Sequence, residues 1–589
     1  MRERILKLTQ PYFKTVLIRS YYISTPIFYV NASPHIGHLY SVVIADATHR
    51  FQCLTGAKNV LLSTGTDEHG LKVELASRKD ERSPTEFKAD DVLQYCSVIS
   101  SQFSSLFSKC SVNFSDFIRT TDTRHKLTVE KFWNSLKNNG QIYEGSYSGW
   151  YCVSDEAFLK DSQLQEVTVE KLGGGSKTHM VSIESGQAAE WTEEKNYMFR
   201  LSSFKDDLLH WLKDERVIQP AKFHHILKAM IEDVSLGDLS VSRPSDRIRW
   251  GIPVPGDATQ SIYVWVDALA NYLTAAKVFD ESSDNLEPNL RNWPPNLQVI
   301  GKDILKFHGI YWPSLLMAVG LEPPRRMLVH SHWTVEGVKM SKSLGNVVNP
   351  FDLADFYTPD GLRYFLLREG VAHSDGNYSN EKAIKILNAE LADTYGNLLN
   401  RCTGVSINKK REFPSLNQND IDTLCSSSCA EVKKETAIAL VESLLSLPDK
   451  TKEYYEHYEF NRVVDAVMNV LRNTNRFFEA HRPWDAAKQL RKMTGSSSLS
   501  DEPDISSVQF VLRATLALSL ESLRISSIIL QPIIPQLTST LLDTLNVPKE
   551  ERMWSNANQF CWQGQGKSTS QLAVSQGSPL FKRIVKDDS

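Results

Sequence analysis

The chain has 589 residues, 41% of them hydrophobic, and a formal net charge of −4 at pH 7. That length calls for several domains with cores of ordinary size, and the charge leaves no global positive field, so any nucleic-acid contact must rest on local basic patches. No apolar run is long enough to span a bilayer and the eight cysteines form no Cys-x-x-Cys pair, so a soluble protein with reduced, structural thiols is expected.

In the first twenty residues Arg2, Arg4, Lys7, Lys14 and Arg19 stand against one acid, Glu3. That is the composition of an organelle transit segment, and also of a ragged basic N-terminus. Tyr21–Tyr29 is an apolar, strand-like run, followed by a short polar connection over 30–34. Then comes Pro34-His35-Ile36-Gly37-His38, after which Ile36, Leu39, Tyr40, Val43, Ile44, Ala47 and Phe51 repeat with the spacing of a helix that buries one face. Two imidazoles and a glycine therefore fall in the first turn of a helix, where free backbone N–H groups and the helix dipole attract an anion. Gly37 has no Cβ to keep a flat ligand away from the backbone. Taken alone, the same five residues also describe two histidines at a surface turn.

Residues 59–65 read as a second buried strand running into Thr66-Asp67-Glu68-His69-Gly70. Open parallel sheets bind ligands at such carboxyl ends. From about Val112 to Trp250 the pattern loosens and reads as an insertion, with glycine-rich 172–177 as a mobile surface loop. Strands are expected again at 262–268 and at 297–300, the second leading into Gly301-Lys302-Asp303 and Phe307-His308, and then at Met327–His330. Strands alternating with helical stretches predict a doubly wound α/β layer split by the insertion. Next is Lys339-Met340-Ser341-Lys342-Ser343, bordered by Gly337 and Gly345. A lysine pair on a glycine-flanked loop is a mobile cation that can close on the β- and γ-phosphates of a nucleotide, although most lysine pairs are simply solvated. Helical periodicity then dominates through Ile384, Leu387, Leu391, Tyr395, Leu398 and Leu399, through 464–478 and through 508–530. A helical bundle is predicted, with serine-rich loops at 426–428 and 495–507, and a polar tail from about Trp554.

The two signatures His-Ile-Gly-His and Lys-Met-Ser-Lys-Ser, both unsubstituted and in this order, resemble those of the class I aminoacyl-tRNA synthetases. Thr25-Pro26-Ile27-Phe28-Tyr29-Val30-Asn31, Gly65-Thr66-Asp67-Glu68-His69-Gly70, Tyr263-Val264-Trp265-Val266-Asp267-Ala268, Gly301-Lys302-Asp303-Ile304 and His308 with Trp312-Pro313 look most like the methionyl-tRNA synthetases, in particular the mitochondrial type. The likeness runs from about Tyr21 to Leu545. It implies a Rossmann-like, doubly wound parallel sheet split by a connective insertion, then an α-helical anticodon-binding bundle. The implied division is a transit segment at 1–20, catalytic halves at 21–111 and 251–325, the insertion at 112–250, a linking region at 326–383, the bundle at 384–545 and a tail at 546–589. The implied reaction attaches methionine to tRNA(Met) through a methionyl-adenylate, with ATP and its Mg2+, in the mitochondrial matrix.

By the same resemblance His35, His38, Lys339 and Lys342 are catalytic, and His35, Gly37, His38, Gly301, Asp303 and Lys342 meet ATP. Ile27, Tyr29, Trp265, Ala268, Leu269, Tyr272 and His308 line the methionine pocket, and Asp67 holds the ammonium group. Asn397, Arg401, Pro483 and Trp484 meet the anticodon. The chemistry agrees: a thioether suits polarisable, apolar and aromatic walls, and splayed RNA bases stack on aromatic side chains. Trp265 and Tyr272 also suit plain core packing. Many relatives carry zinc knuckles made of paired Cys-x-x-Cys in the insertion, whereas the region 149–156 has only Cys152. No metal site and no zinc are therefore expected, and the insertion should be held by packing. Too few residues follow the last helix for a dimerising domain, so a monomer is expected, without membrane contact. Another class I synthetase for an aliphatic amino acid, or a catalytically silent tRNA-binding relative, remains open, although the former usually carries a larger editing insertion.

Overall fold

In a computed structural model of the chain the described residues are 20–78, 88–152, 157–159, 161–171, 175–183, 186–232, 236–279, 286, 288–340, 346, 348–426, 432–493, 505–563, 570–572 and 579–585. The transit segment, except Ser20, lies outside them, as do residues 341–345 of the lysine loop, most of both serine-rich loops and residues 172–174 of the glycine-rich one. The chain divides into two compact units, one of 1–33, 58–104 and 114–329, the other of 34–57, 105–113 and 330–589.

The first unit is built on a six-stranded sheet. Its strands are β1 (Tyr21–Tyr29), β2 (Val60–Asp67), β3 (Asp116–Arg119), β4 (Ile218–Gln219), β5 (Leu297–Gly301) and β6 (Met327–His330), in the spatial order 3-2-1-5-6-4. The pairings of β1 with β2 and β5, β2 with β3, and β6 with β4 are parallel. Parallel strands are covered on both faces, which is why β5 and β6 are uninterrupted buried runs. The register of β1 on β2 shifts between Ser24 and Ile27, around Pro26, which has no N–H for the ladder. Beyond that bulge Ile27, Phe28 and Tyr29 pair with Gly65, Thr66 and Asp67. Only glycine fits at 65, since a Cβ there would lie 2.0 Å from the carbonyl oxygen of Ile118. β3 and β4 both come from the stretch between 112 and 250, so each end of that stretch contributes to the sheet.

The middle of the stretch forms a separate antiparallel sheet centred on Ile142–Cys152 and Ala188–Phe199. Buried Cys152, Leu164 and Ala189 make a small apolar cluster there, with Trp150, Leu159 and Met180 packed against it. Gly175 to Lys177, expected in the glycine-rich loop, begin the strand Gly175–Ser182. A larger correction concerns 262–268. The strand stops at Ile262, Tyr263 turns the chain (φ −60°, ψ 130°), and Val264–Ala276 is a helix. Every residue from Val266 to Ala276 is buried, so the helix shows no polar face and its short β-branched start is indistinguishable from a strand by periodicity.

In the second unit the helix Ile36–Leu54 follows the expected pattern, with Ile36, Leu39, Tyr40, Val43, Ile44, Ala47 and Phe51 all buried. The helical region includes Lys434–Glu456, Phe460–His481, Pro483–Met493, Ile505–Leu530 and Pro535–Thr544. Phe460–His481 buries Val463, Val464, Val467, Met468, Leu471, Phe477 and Phe478, an i, i+3, i+4 stripe. The stretch from Trp554 is more than a tail. Trp554 packs on Phe51 at 5.3 Å and on Tyr455 at 5.9 Å, and Ser570–Gln571 pairs with Glu412–Phe413. Among the described residues no helix is long and apolar enough to cross a membrane.

One buried ion pair joins the unit's chain-distant parts. Arg363 and Asp46, both without exposure, meet at 2.7 Å, and the same guanidinium donates to the carbonyls of Pro532 (2.8 Å), Ile533 (3.0 Å) and Cys110 (3.2 Å). Removing one partner leaves an uncompensated buried charge, at about 3–5 kcal/mol. Arg363→Met should lower unfolding free energy by that amount in a denaturant titration, and Arg363→Met with Asp46→Leu should cost less than the single change.

Candidate active site

The first unit gathers the residues expected around a thioether. Trp265, in the first turn of the Val264–Ala276 helix, stacks on Phe307 with centroids 3.7 Å apart and planes 8° from parallel. His308 meets Trp265 edge-on at 6.3 Å. Its Nδ1 lies 3.1 Å from the Ile304 carbonyl, and its Nε2 lies 2.8 Å from the Tyr272 hydroxyl. A carbonyl only accepts, so Nδ1 carries the proton and Nε2 accepts from the Tyr272 O–H. Burial, which strips water from an imidazolium, pushes the pKa of His308 down to about 4. The result is a neutral ring of defined tautomer. Ala268, Leu269, Tyr272 and His308 are buried, whereas Ile27, Tyr29, Asp67 and Trp265 are half-buried. Ile27, Trp265 and Phe307 pack against the main core. Phe307 was not singled out by sequence, where it is one aromatic among many.

Asp67 ends β2 opposite Tyr29 on β1. The turn after it is held by its neighbours. Glu68, fully buried, accepts from Arg119 Nε (2.7 Å) and Nη2 (2.9 Å), Thr66 Oγ1 (2.8 Å) and Thr121 Oγ1 (2.5 Å). The Glu68 N–H donates to Thr120 Oγ1, the indole N–H of Trp250 donates to the Glu68 carbonyl, and the Gly70 N–H donates to the Trp250 carbonyl. Gly70 sits at φ +106°, where a side chain would be strained. Gly301 ends β5 and leads into a 3₁₀ turn carrying Asp303, which is exposed.

In the second unit His35 is the N-cap of Ile36–Leu54. Its Nδ1 accepts from the Gly37 N–H at 3.0 Å, while His38 Nδ1 accepts from the His35 N–H at 3.2 Å. This is a capping box made from two histidines, whose rings stack with centroids 3.7 Å apart. The amides of His35 and Gly37, expected to be free for an anion, are thus taken by imidazoles. A neutral ring whose Nδ1 accepts carries its proton on Nε2, so the donors of this turn are ring nitrogens rather than those amides. Gly37 is needed to let the ring fold back, because a Cβ would come within 2.9 Å of it. The same helix touches the strand that leads to the lysine loop. Ser41 Oγ lies 2.7 Å from His330 Nε2, and Tyr40 packs edge-on against Trp333 at 5.6 Å. Trp333–Val335 pairs with Val338–Lys339 across a turn with positive φ at Glu336 and Gly337, and the Gly337 N–H donates to Asn377 Oδ1. The backbone of Lys339 is therefore part of a hairpin, and Lys342 lies outside the described residues.

Also in the second unit, the Arg401 guanidinium lies over the rings of Phe478 (4.6 Å) and Trp484 (5.7 Å) and binds Glu479 at 2.6 Å. Trp484 is half-buried, Pro483 is buried, and Asn397 is exposed one turn before Arg401. Phe478 and Glu479 are additions that sequence reading missed, being one stripe residue and one surface charge of a long helix.

A family profile described as "tRNA synthetases class I (M)" matches residues 21–403. Homo sapiens mitochondrial methionine–tRNA ligase is 43% identical over 535 residues, 90% of this chain and 84% of that protein. The Xenopus laevis mitochondrial methionine–tRNA ligase is 42% identical over 98% of this chain and 94% of its own. A solved Mycobacterium tuberculosis methionyl-tRNA synthetase in complex with methionyl-adenylate superimposes with a TM-score of 0.81 at 33% identity, covering 96% of this chain and 100% of that one. The chain belongs to the class I tRNA synthetases, in their methionyl family.

A buried neutral histidine links stability to pH. Since the folded pKa of His308 lies below the ordinary 6.5, the unfolded chain binds the extra proton on acidification. Its contribution is complete above pH 6.5 and is lost as pH falls towards 4, at about 1.4 kcal/mol per pH unit. The stability difference between wild type and His308→Gln, measured by urea titration, should shrink over that window.

Proposed function

We propose that this chain attaches methionine to tRNA(Met) in two steps. One carboxylate oxygen of methionine attacks the α-phosphorus of ATP and expels pyrophosphate, giving methionyl-adenylate. A terminal ribose hydroxyl of the tRNA then attacks the acyl carbon and expels AMP. The observation that carries the reading is the pairing of neutral His308 with Tyr272 behind the stacked Trp265 and Phe307. A charged imidazolium there would lose its hydration against an apolar side chain that cannot replace it, whereas polarisable rings attract a thioether sulfur. Asp67 would hold the ammonium group, on a turn too constrained to yield.

His35 and His38 would donate to ATP phosphates from their ring nitrogens, and Gly301 and Asp303 would meet the nucleoside. Lys342, seconded by Lys339, would stabilise the negative charge gathering on departing pyrophosphate. This is catalysis by placement and charge. Mg2+ would arrive on the phosphates of ATP rather than in a dedicated protein cage. In the bundle, Arg401 and Trp484 would stack and hydrogen-bond anticodon bases, with Asn397 and Pro483 at their flanks. The basic first twenty residues, together with relatives named as mitochondrial, support a mitochondrial protein, for which the matrix would be the site of action.

Methionine should support ATP–pyrophosphate exchange far better than leucine, isoleucine or valine, and equal exchange with all four would refute the assignment. Lys342→Ala should slow that exchange about 10²–10³-fold; an unchanged rate removes the residue from the chemistry. Trp484→Ala should raise KM for tRNA, consistent with about 1–3 kcal/mol per stacked base, while leaving adenylate formation intact. Equal loss of both steps would make the ring structural.

A further inference from the structure

Behind the walls of the pocket lies a buried polar chain for which the reaction as described has no use. Asp267, 1% exposed, sits between Trp265 and Ala268 on the Val264–Ala276 helix. Its Oδ2 lies 2.7 Å from His69 Nδ1 and its Oδ1 lies 2.8 Å from His125 Nε2. His125, on the Thr123–Asn138 helix, returns through Nδ1 to Thr274 Oγ1 at 2.9 Å, two turns further along the helix that carries Asp267. All three charged or titratable side chains are buried. An ionised carboxylate accepts only, so the nitrogens that face it carry protons. Burial works to raise the pKa of Asp267, but the two imidazoles outweigh it and hold the carboxyl at about 2.

The placement of the chain's ends gives it a purpose. His69 lies two residues after Asp67, on the turn pinned through Glu68 and Trp250. Asp267 lies in the same helix as Trp265, Ala268, Leu269 and Tyr272. One bond of the chain thus ties the proposed ammonium anchor to the helix bearing the proposed side-chain walls. His125 grips that helix at Asp267 and again at Thr274, which opposes rotation about its axis.

We infer that His69 and His125 are positioning residues that, through Asp267, set the separation between Asp67 and the aromatic walls and so fix the length of amino-acid side chain accepted. The inference rests on the methionine pocket proposed above. It concerns the amino acid and not the nucleotide, since neither histidine lies on a phosphate-binding element of the proposal.

The test is ATP–pyrophosphate exchange with separate titration of methionine and ATP, and with ethionine, one methylene longer, as competing substrate. His125→Ala and His69→Ala should lower kcat/KM for methionine about 10–100-fold, the scale of a displacement near 1 Å. The loss should fall mainly in methionine KM, with ATP KM little changed and the preference for methionine over ethionine reduced. His125→Gln puts an amide nitrogen near the place of Nε2, and His69→Asn puts one near that of Nδ1, so each should recover most of the loss. Wild-type methionine KM and selectivity in the folded alanine variants would overturn the inference, as would equal rises in both KM values or no recovery with the amides. Should an alanine variant fail to fold, Asp267→Asn, of the same shape but without the anion, is read by the same criteria. Trp265→Ala separates the two claims: if it leaves methionine KM unchanged the pocket reading fails, and if it raises KM while the histidine variants do not, only the positioning role fails.

Discussion

A carboxylate that no water reaches governs the first unit. Glu68 receives both arms of Arg119 and the hydroxyls of Thr66 and Thr121, while its own backbone is bonded to Thr120 and Trp250. An anion in that setting is tolerable only while its donors stay in place, because losing one exposes the cost of a partly unpaired buried charge. The turn from Thr66 to Gly70 therefore has little freedom, and the half-buried Asp67 within it inherits that stiffness. A binding carboxylate on an ordinary loop would lose entropy each time it met a substrate; Asp67, in the role proposed for it, would be placed in advance.

The pocket walls follow a complementary logic. The Tyr272 hydroxyl is paired with His308 Nε2, and His308 Nδ1 with the Ile304 carbonyl. What the proposed pocket would offer a ligand is then polarisable ring surface and aliphatic carbon. Such a pocket would discriminate modestly, since one methylene in an apolar site is worth about 1–3 kcal/mol. Geometry would have to supply the remainder, through the rigidity of the surrounding helices.

In the second unit the histidine motif is self-contained. Two imidazoles cap their own helix, stack on each other, and rely on Gly37 for the close approach. The helix contacts His330 and Trp333, and the strand Trp333–Val335 pairs in turn with the one bearing the first lysine. Further along the unit, Arg401 lies between aromatic faces and an acid, Glu479. The acid pairs with the guanidinium while its central carbon stays over both rings. A base stacking there, as proposed, would exchange one partner for another and would not have to order a loose side chain.

Much of this was legible in one dimension. β1, β2, β5 and β6, the helix from Ile36 and the long helices of the second unit lie where apolar periodicity puts them, because burial of one face or two is a local pattern. The histidine and lysine signatures were legible too, being contiguous. The sequence was silent on partners. Nothing about His125 marks it as the second ligand of a carboxylate 142 residues away, nor His69 as the first at 198. The run 262–268 became a helix because its surroundings buried every side, which erases the period that separates helix from strand. Aromatic residues after Trp554 found the core for a similar reason. Local spacing determines which elements form, but a buried charge or ring takes its meaning from whatever folding packs against it, and only the tertiary structure decides that.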